Sequence, residues 1–235
     1  MKSVAIFRHF RTEGPGYFAT YLESRAIPWK LIRLDRNEPV PGEARQFSGL
    51  AFMGGPMSVN DELPWISPVL DLIRSAASEN VPVIGHCLGG QLMAKAHGGS
   101  VGPAPVKEIG WGNVACADGA VAEQWLGGLA QFESFHWHGE TFTIPPGAAR
   151  IMGSQHCANQ GYAIGPHLAM QCHVEMTEEL IRTWCRYGAK EIERSAGSPG
   201  VQPVREIGRD LRRRIAALHT VADRIYQHWS EGLQR

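Results

Sequence analysis

The sequence predicts an α/β fold, a doubly wound and mostly parallel central sheet flanked by helices, on three observations. Short apolar runs recur without alternation, segments of helical periodicity lie between and after them, and glycine-rich turns close several of the runs. Continuous apolar runs suit strands buried on both faces, as in parallel sheets covered by helices. Strands that alternate with helices then give the doubly wound arrangement.

Ser3–Phe7 is the first run. Trp29–Leu34 is a weaker second, interrupted by Lys30 and Arg33 and so placed nearer a sheet edge. Leu50–Met53 is the third, ending in Gly54-Gly55-Pro56, and Val81–Gly85 is the fourth. Between these two, Val69, Leu70, Ile73, Ala76 and Ala77 give Ser67–Ser78 a helical spacing, with Ser67 as cap and Pro68 in the first turn. Gly89–His97 continues as a helix, stopped by Gly98-Gly99. Shorter strands are expected at Gly112–Cys116, Glu140–Ile144, Ala149–Gly153 and Ala163–Ile164, with a last core strand over Leu168–His173. A helix over Thr177–Tyr187 follows, capped by Thr177 with Glu178 and Glu179 in its first turn. Ser195–Pro203 reads as a loop. In the tail, Ile207, Leu211, Ile215, Leu218, Ala222, Ile225 and Trp229 form one stripe, so 204–233 is expected to be a C-terminal amphipathic helix. It would pack on the domain or on a second subunit, which allows a homodimer. No boundary demands a second domain, and residues 1–235 read as one.

Composition excludes several classes. The 23 Lys+Arg and 23 Asp+Glu leave no formal net charge, without the basic surplus that counterion-driven nucleic-acid binding requires. Arg209, Arg212, Arg213 and Arg214 surround Asp210 and read as a solvated helix face. With 43% hydrophobic residues, 20% charged and seven Trp, the chain is globular rather than disordered. No apolar stretch approaches the roughly 18 residues of a membrane span, and Arg8 interrupts the N-terminal run too early for a secretory leader. Five cysteines without CxxC spacing fit a reducing compartment, so a cytoplasmic location is expected.

The segment Val83-Ile84-Gly85-His86-Cys87-Leu88-Gly89-Gly90-Gln91 runs an apolar strand through Gly-x-Cys-x-Gly directly into a helix. This is a nucleophile-elbow pattern with Cys87 at the apex, the glycines relieving crowding on either side of a sharp turn. A helix N-terminus favours negative charge and so favours the thiolate. The Leu88 N–H would point at the oxyanion formed on attack. Cys116, Cys157, Cys172 and Cys185 have no such setting and read as structural. A thiol nucleophile needs a base, and the base an orienting acceptor. His173 ends an apolar strand, where side chains face the ligand crevice, and Glu175 can accept from its far ring nitrogen.

Together these motifs resemble the class I (triad) glutamine amidotransferases. The resemblance rests on Gly85–Gln91 followed by His97-Gly98-Gly99, on His173-Val174-Glu175, and on Met53-Gly54-Gly55-Pro56-Met57-Ser58-Val59 as the oxyanion loop. Lys107-Glu108-Ile109-Gly110-Trp111-Gly112 and Phe135-His136-Trp137-His138-Gly139-Glu140 resemble the stand-alone branch akin to the GMP synthetase amidotransferase domain. The resemblance implies a flavodoxin-like sheet, Cys87 as nucleophile, His173 as acid and base, Glu175 as its orienter, and Gly55 and Leu88 N–H groups as the oxyanion hole. It also places Gln91, Trp137 and His138 along the glutamine pocket. Two departures stand out. Val174 replaces the family's usual Pro, and Trp137 stands where several relatives carry a small polar residue.

The resemblance therefore implies hydrolysis of the glutamine side-chain amide through a γ-glutamyl thioester, releasing ammonia, without a cofactor. Nothing in the 235 residues resembles an ATP-binding acceptor domain, so either a separate synthetase subunit takes the ammonia or the enzyme simply hydrolyses a γ-glutamyl bond. The alternatives are a γ-glutamyl peptidase acting on other γ-glutamyl amides and a non-catalytic regulatory subunit of a synthetase. A metal site drawn from His136, His138, His173 and Glu175 matches no standard ligand spacing, and none is expected.

Overall fold

Strand β1 (Val4–Arg8) shows why the early apolar runs lack alternation. Val4 and Ile6 enter one hydrophobic core, Ala5 and Phe7 enter the other, and all four are fully buried. The structure is a computed structural model that describes residues 2–234. Helix α1 (Tyr17–Ser24) returns the chain to β2 (Trp29–Arg33), then β3 (Gly49–Phe52), α2 (Ile66–Ser78), β4 (Val83–His86) and α3 (Leu88–Ala96) follow. A long strand β5 (Val101–Cys116), helix α4 (Ala120–Leu126) and strand β6 (Gln131–Phe142) come next. Strands β7 (Ala149–Ser154), β8 (Gly161–Ile164) and β9 (His167–Met170) lead to α5 (Glu178–Tyr187) and α6 (Ala189–Arg194). The chain finishes with β10 (Gly200–Val201), α7 (Val204–Ile207) and α8 (Leu211–Glu231).

All ten strands join one sheet, in the order β10-β5-β7-β8-β9-β4-β3-β1-β2, with β6 paired to β5. From β2 to β9 every pairing is parallel, and β2 lies at the edge, as its Lys30 and Arg33 foretell. Beyond β9 the sheet turns antiparallel through β8, β7, β5 and β6. Helices α2 and α3 cover one face, while α1, α4, α5 and α8 cover the other. This is the α/β class anticipated, with an antiparallel extension added to the parallel half.

Several local expectations change. The two short strands expected at Gly112–Cys116 and Glu140–Ile144 belong to a long β5–β6 hairpin, whose register shifts between Pro103 and Glu108. Ser67 does not cap α2. The helix starts at Ile66 after Trp65, and no side chain closes its first turn. The last parallel strand ends at Met170, and His173 lies beyond it in an isolated bridge to Phe135. Thr177 does cap α5, its Oγ1 accepting from Leu180 N at 3.2 Å. The 195–203 segment contains β10, which pairs with β5. The helix expected over 204–233 is not continuous: Asp210 adopts φ 52°, a left-handed conformation that separates α7 from α8. The apolar stripe survives the break, because Ile207 and Leu211 are both buried on the same core. That core belongs to this chain, so the stripe is occupied internally by α1, α4 and β6. Among the described residues no helix is long and apolar enough to cross a membrane.

Candidate active site

Four loops at the carboxyl ends of β1, β3, β4 and β9 meet above the parallel sheet. Ligands bind doubly wound folds in this crevice, beside the point where strand order reverses. Here the reversal falls at β1, with β2 on one side and β3 on the other.

Cys87 occupies the turn between β4 and α3 with φ 51° and ψ −109°. A side chain other than glycine holds such a conformation only where its surroundings impose it. Three glycines supply those surroundings. A Cβ at Gly85 would lie 2.5 Å from the Gly89 carbonyl carbon, one at Gly89 would collide with the Phe52 carbonyl, and one at Gly90 would lie 2.5 Å from the Met170 oxygen. The Cys87 N–H is tied to Met170 O at 2.8 Å, so the apex is fixed to the neighbouring strand. Its Sγ accepts from Gln171 Nε2 at 3.5 Å and lies 3.8 Å from the Trp137 carbonyl oxygen.

His173 Nδ1 donates to Glu175 Oε1 at 2.6 Å, and both side chains are buried. Burial by itself would drive the imidazole toward neutrality, but the Glu175 carboxylate and the Cys87 side chain outweigh it and raise its pKa well above 6.5. Burial likewise opposes ionisation of Glu175, yet the charges of His173 and His86 hold it down at about 2. The other ring nitrogen of His173, Nε2, is buried and has no hydrogen-bond partner among the described residues. A single point locates the group: a Cβ at Gly54 would be 3.2 Å from His173 Cε1 and 3.8 Å from Cys87 Cβ. The Trp184 ring stands edge-on to the imidazole at 4.9 Å and sets its tilt.

The residues expected to form the oxyanion hole also converge. A Cβ at Gly55 would lie 2.7 Å from Leu88 Cδ2, and neither Gly55 nor Leu88 N–H donates to an acceptor among the described residues. Leu88 N–H is free because it begins a helix.

Gln91, Trp137 and His138 all line the same cavity of about 610 Å³, together with Cys87, Gly55 and His173. Their polar atoms are differently engaged. Gln91 Nε2 donates to Gln171 Oε1 at 3.1 Å. Trp137 Nε1 donates to Glu191 Oε2 at 3.0 Å, and its ring lies against Gly188, where a Cβ would collide with it. Glu191 is in turn ion-paired with Lys107. His138 has both ring nitrogens occupied, Nδ1 by the Glu140 carbonyl at 3.0 Å and Nε2 by Glu108 Oε2 at 3.1 Å.

The structure separates the four residues once drawn as a metal site. His136 and His138 gather with Glu108, their ligand atoms within 4.8 Å of one another, while His173 and Glu175 serve the Cys87 group. Between Glu108 and His136 sits the Gln160 amide, its Nε2 2.8 Å from Glu108 Oε2, 3.3 Å from His136 Nδ1 and 3.1 Å from Ser154 Oγ.

Three participants escape sequence reasoning. His86 and Tyr226 lie behind Glu175, with His86 Nε2 3.8 Å from Glu175 Oε2 and 3.2 Å from Tyr226 Oη, so α8 reaches the carboxylate. Glu13, on the loop after β1, lines the cavity beside His173. Glu13-Gly14-Pro15-Gly16 follows its strand much as Gly54-Gly55-Pro56 follows β3, and that parallel was the available signal.

Comparisons with known proteins show the family and the fold. A family model described as "Glutamine amidotransferase class-I" matches residues 17–183. A solved glutamine amidotransferase from Methylobacillus flagellatus is 48% identical, covers 100% of this chain and 96% of its own, and superposes with a TM-score of 0.97. The glutamine amidotransferase-like protein YfeJ of Salmonella typhimurium is 27% identical over 85% of this chain and 86% of its own. Gamma-glutamyl peptidase 2 of Arabidopsis thaliana is 23% identical over 71% of this chain and 70% of its own.

Proposed function

The chain belongs to the class-I glutamine amidotransferase family, and from that premise we propose that it hydrolyses γ-glutamyl amides, glutamine among them, through a thioester on Cys87. The observation that carries this reading is the buried His173–Glu175 pair, whose remaining ring nitrogen has no protein partner and lies beside the strained cysteine.

The chemistry follows from the geometry. Cys87 Sγ attacks the carboxamide carbon, and the carbonyl oxygen becomes an oxyanion facing the Gly55 and Leu88 N–H groups. His173 Nε2–H gives its proton to the amide nitrogen, the C–N bond breaks, and ammonia or an amine leaves. The neutral imidazole then takes a proton from water, the hydroxide attacks the thioester carbon, and the C–S bond breaks to give glutamate and free Cys87. Glu175 holds the ring in one tautomer and stabilises the imidazolium at both proton transfers. Val174 in place of proline leaves this pairing intact at 2.6 Å.

Two groups shape rather than bind in this reading. His138 has no free ring nitrogen for substrate, and Trp137 is locked against Glu191 and Gly188, so both act as walls. The cavity of about 610 Å³ has room for an amide with a larger leaving group than ammonia, which favours peptidase-type substrates as a second reading. The test is release of ammonia or amine from a series of γ-glutamyl amides, with mass analysis of Cys87 after a glutamine-analogue electrophile. Turnover and labelling in the wild type, both lost in folded Cys87→Ala, are the expected results. Turnover undiminished in Cys87→Ala would overturn the mechanism, and no turnover or labelling at all would leave a binding role.

A further inference from the structure

Glu13 is an acidic side chain beside His173 and Cys87 that takes no part in the proposed hydrolysis. The carboxyl lies over Gly54: a Cβ there would be 2.9 Å from Glu13 Oε2, while the same point is 3.2 Å from His173 Cε1 and 3.8 Å from Cys87 Cβ. Its position is imposed by the backbone. The Glu13 N–H donates to Phe10 O at 2.9 Å, Trp184 Nε1 donates to Thr12 O at 2.8 Å, and Tyr17 N–H donates to Glu175 O at 2.8 Å. The loop is thus fastened to the helix that orients His173 and to the backbone of Glu175 itself.

The side chain makes no hydrogen bond or ion pair among the described residues, and what exposes it is the cavity. Burial is the main cause that lifts its pKa to about 8. The His173 charge opposes that rise and the Glu175 charge adds to it. The free site therefore holds Glu13 as a neutral acid with no acceptor, a state that a cation would relieve. Among the described residues lining the cavity, Lys107 is the one lysine or arginine, and it is paired with Glu191.

From this placement we infer that Glu13 is the ammonium-recognising group of the pocket, selecting γ-glutamyl amides by a positive nitrogen close to the reacting carbonyl. The nitrogen is either the α-ammonium of the γ-glutamyl group or a second ammonium on the leaving amine. The inference rests on the amide-hydrolase reading only for which molecule carries the charge. Binding would ionise the carboxyl, so a proton leaves Glu13 as the substrate's cation takes its place.

The titratable groups facing Glu13 are Cys87 on the β4–α3 turn and the His173–Glu175 pair with His86 behind it, whereas Arg11 on its own loop lines a neighbouring cavity and stacks on Tyr187. Asp61, Glu140 and the Lys107–Glu191 pair line the rim. The carboxylates of Asp61 and Glu140 add a cation preference that does not depend on Glu13, and the variant subtracts it.

The test labels Cys87 with two methanethiosulfonates, one carrying a trimethylammonium group and one a neutral methyl, and reads the modified peptide by mass. Dividing the cationic by the neutral rate removes the thiolate fraction, which is common to both. In the wild type this ratio should rise about tenfold as pH passes through the region near 8, and in Glu13→Gln the rise should be clearly smaller, keeping only the part that follows the loss of charge at His173. An unchanged ratio and profile in Glu13→Gln would overturn the inference, whatever the hydrolysis assay shows. Two substrate pairs then locate the nitrogen. γ-Glutamyl-p-nitroanilide against glutaryl-p-nitroanilide isolates the α-ammonium, and the γ-glutamyl amide of 1,4-diaminobutane against that of butylamine isolates one on the leaving amine. Glu13→Gln should raise KM more than it lowers kcat for the charged member of one pair and leave the uncharged member alone. Absence of turnover from all four and from glutamine in the wild type would sink the hydrolase reading while the labelling ratio still decides the role of Glu13.

Discussion

Two buried histidine–glutamate pairs lie within the same half of this protein, and they differ in what each leaves unsatisfied. His138 meets Glu108 at 3.1 Å, and the polar side-chain atoms of both are engaged: Nδ1 by the Glu140 carbonyl, Glu108 by Ser154 and Gln160 as well, although Gln160 Oε1 beside them has no partner among the described residues. His173 meets Glu175 at 2.6 Å, but His173 Nε2 and Glu175 Oε2 have no hydrogen-bond partner, and the free nitrogen faces Cys87. The residue types are the same in both. A buried polar atom without a partner is costly, so a fully bonded pair reads as scaffold and a deliberately incomplete one as a place where a reaction supplies the missing partner.

The sharpest way to break that contrast is to neutralise each carboxylate. Glu175→Gln keeps an oxygen that accepts from His173 Nδ1 but removes the charge that stabilises the imidazolium. Turnover should fall by about 100-fold or more, with a melting temperature near that of the wild type. Glu108→Ala should do the reverse. It strips His138, Ser154 and Gln160 of a shared acceptor and should cost about 2–4 kcal/mol of stability by urea titration. Turnover of the folded fraction should remain within about threefold, since Glu108 touches no proposed reacting atom. A folded Glu108→Ala protein without turnover would end the division between scaffold and site.

That division was only half legible in the sequence, for physical reasons. Strands buried on both faces announce themselves as unbroken apolar runs, so β1, β3 and β4 were readable from Val4–Phe7, Leu50–Phe52 and Val83–Ile84. The elbow was readable because close backbone approach leaves only glycine at 85, 89 and 90. The β5–β6 hairpin was not, because Pro103, Pro105 and Lys107 interrupt a strand whose partner compensates through a register shift. The break before α8 hides in Asp210, a residue that sits equally well on a helix surface. Glu13 was only faintly marked, by its Gly- and Pro-rich loop, because a charged residue there looks solvated until the fold places it over Gly54. His136 and His138 matched no standard ligand spacing in the sequence, which shows neither that Glu108 joins the two histidines nor that the Gln160 amide lies between Glu108 and His136.

The smallest expected effect discriminates by sign. His136, in the scaffold cluster, has its pKa lowered to about 4, chiefly by burial. Its Nε2–H donates to the Gly112 carbonyl at 3.4 Å, and Nδ1 is 3.3 Å from the Gln160 amide, an arrangement for a neutral ring. Between pH 6.5 and 4 the unfolded chain binds a proton at this position that the folded chain refuses. The stability it contributes is therefore complete above 6.5 and is lost as pH falls through about 4, by up to roughly 1.4 kcal/mol per pH unit. His173 runs the other way. Its pKa is raised in the fold, so its contribution is complete below 6.5 and is lost as pH climbs through the folded value. His136→Asn should accordingly be more destabilising at pH 7.5 than at pH 4.5, and His173→Gln more destabilising at pH 6 than at alkaline pH. Urea titrations of both variants across that range would show two trends of opposite slope. Parallel trends would mean that the two histidines share one electrostatic environment, and that the unpartnered nitrogen of His173 does not distinguish a reactive site from a scaffold.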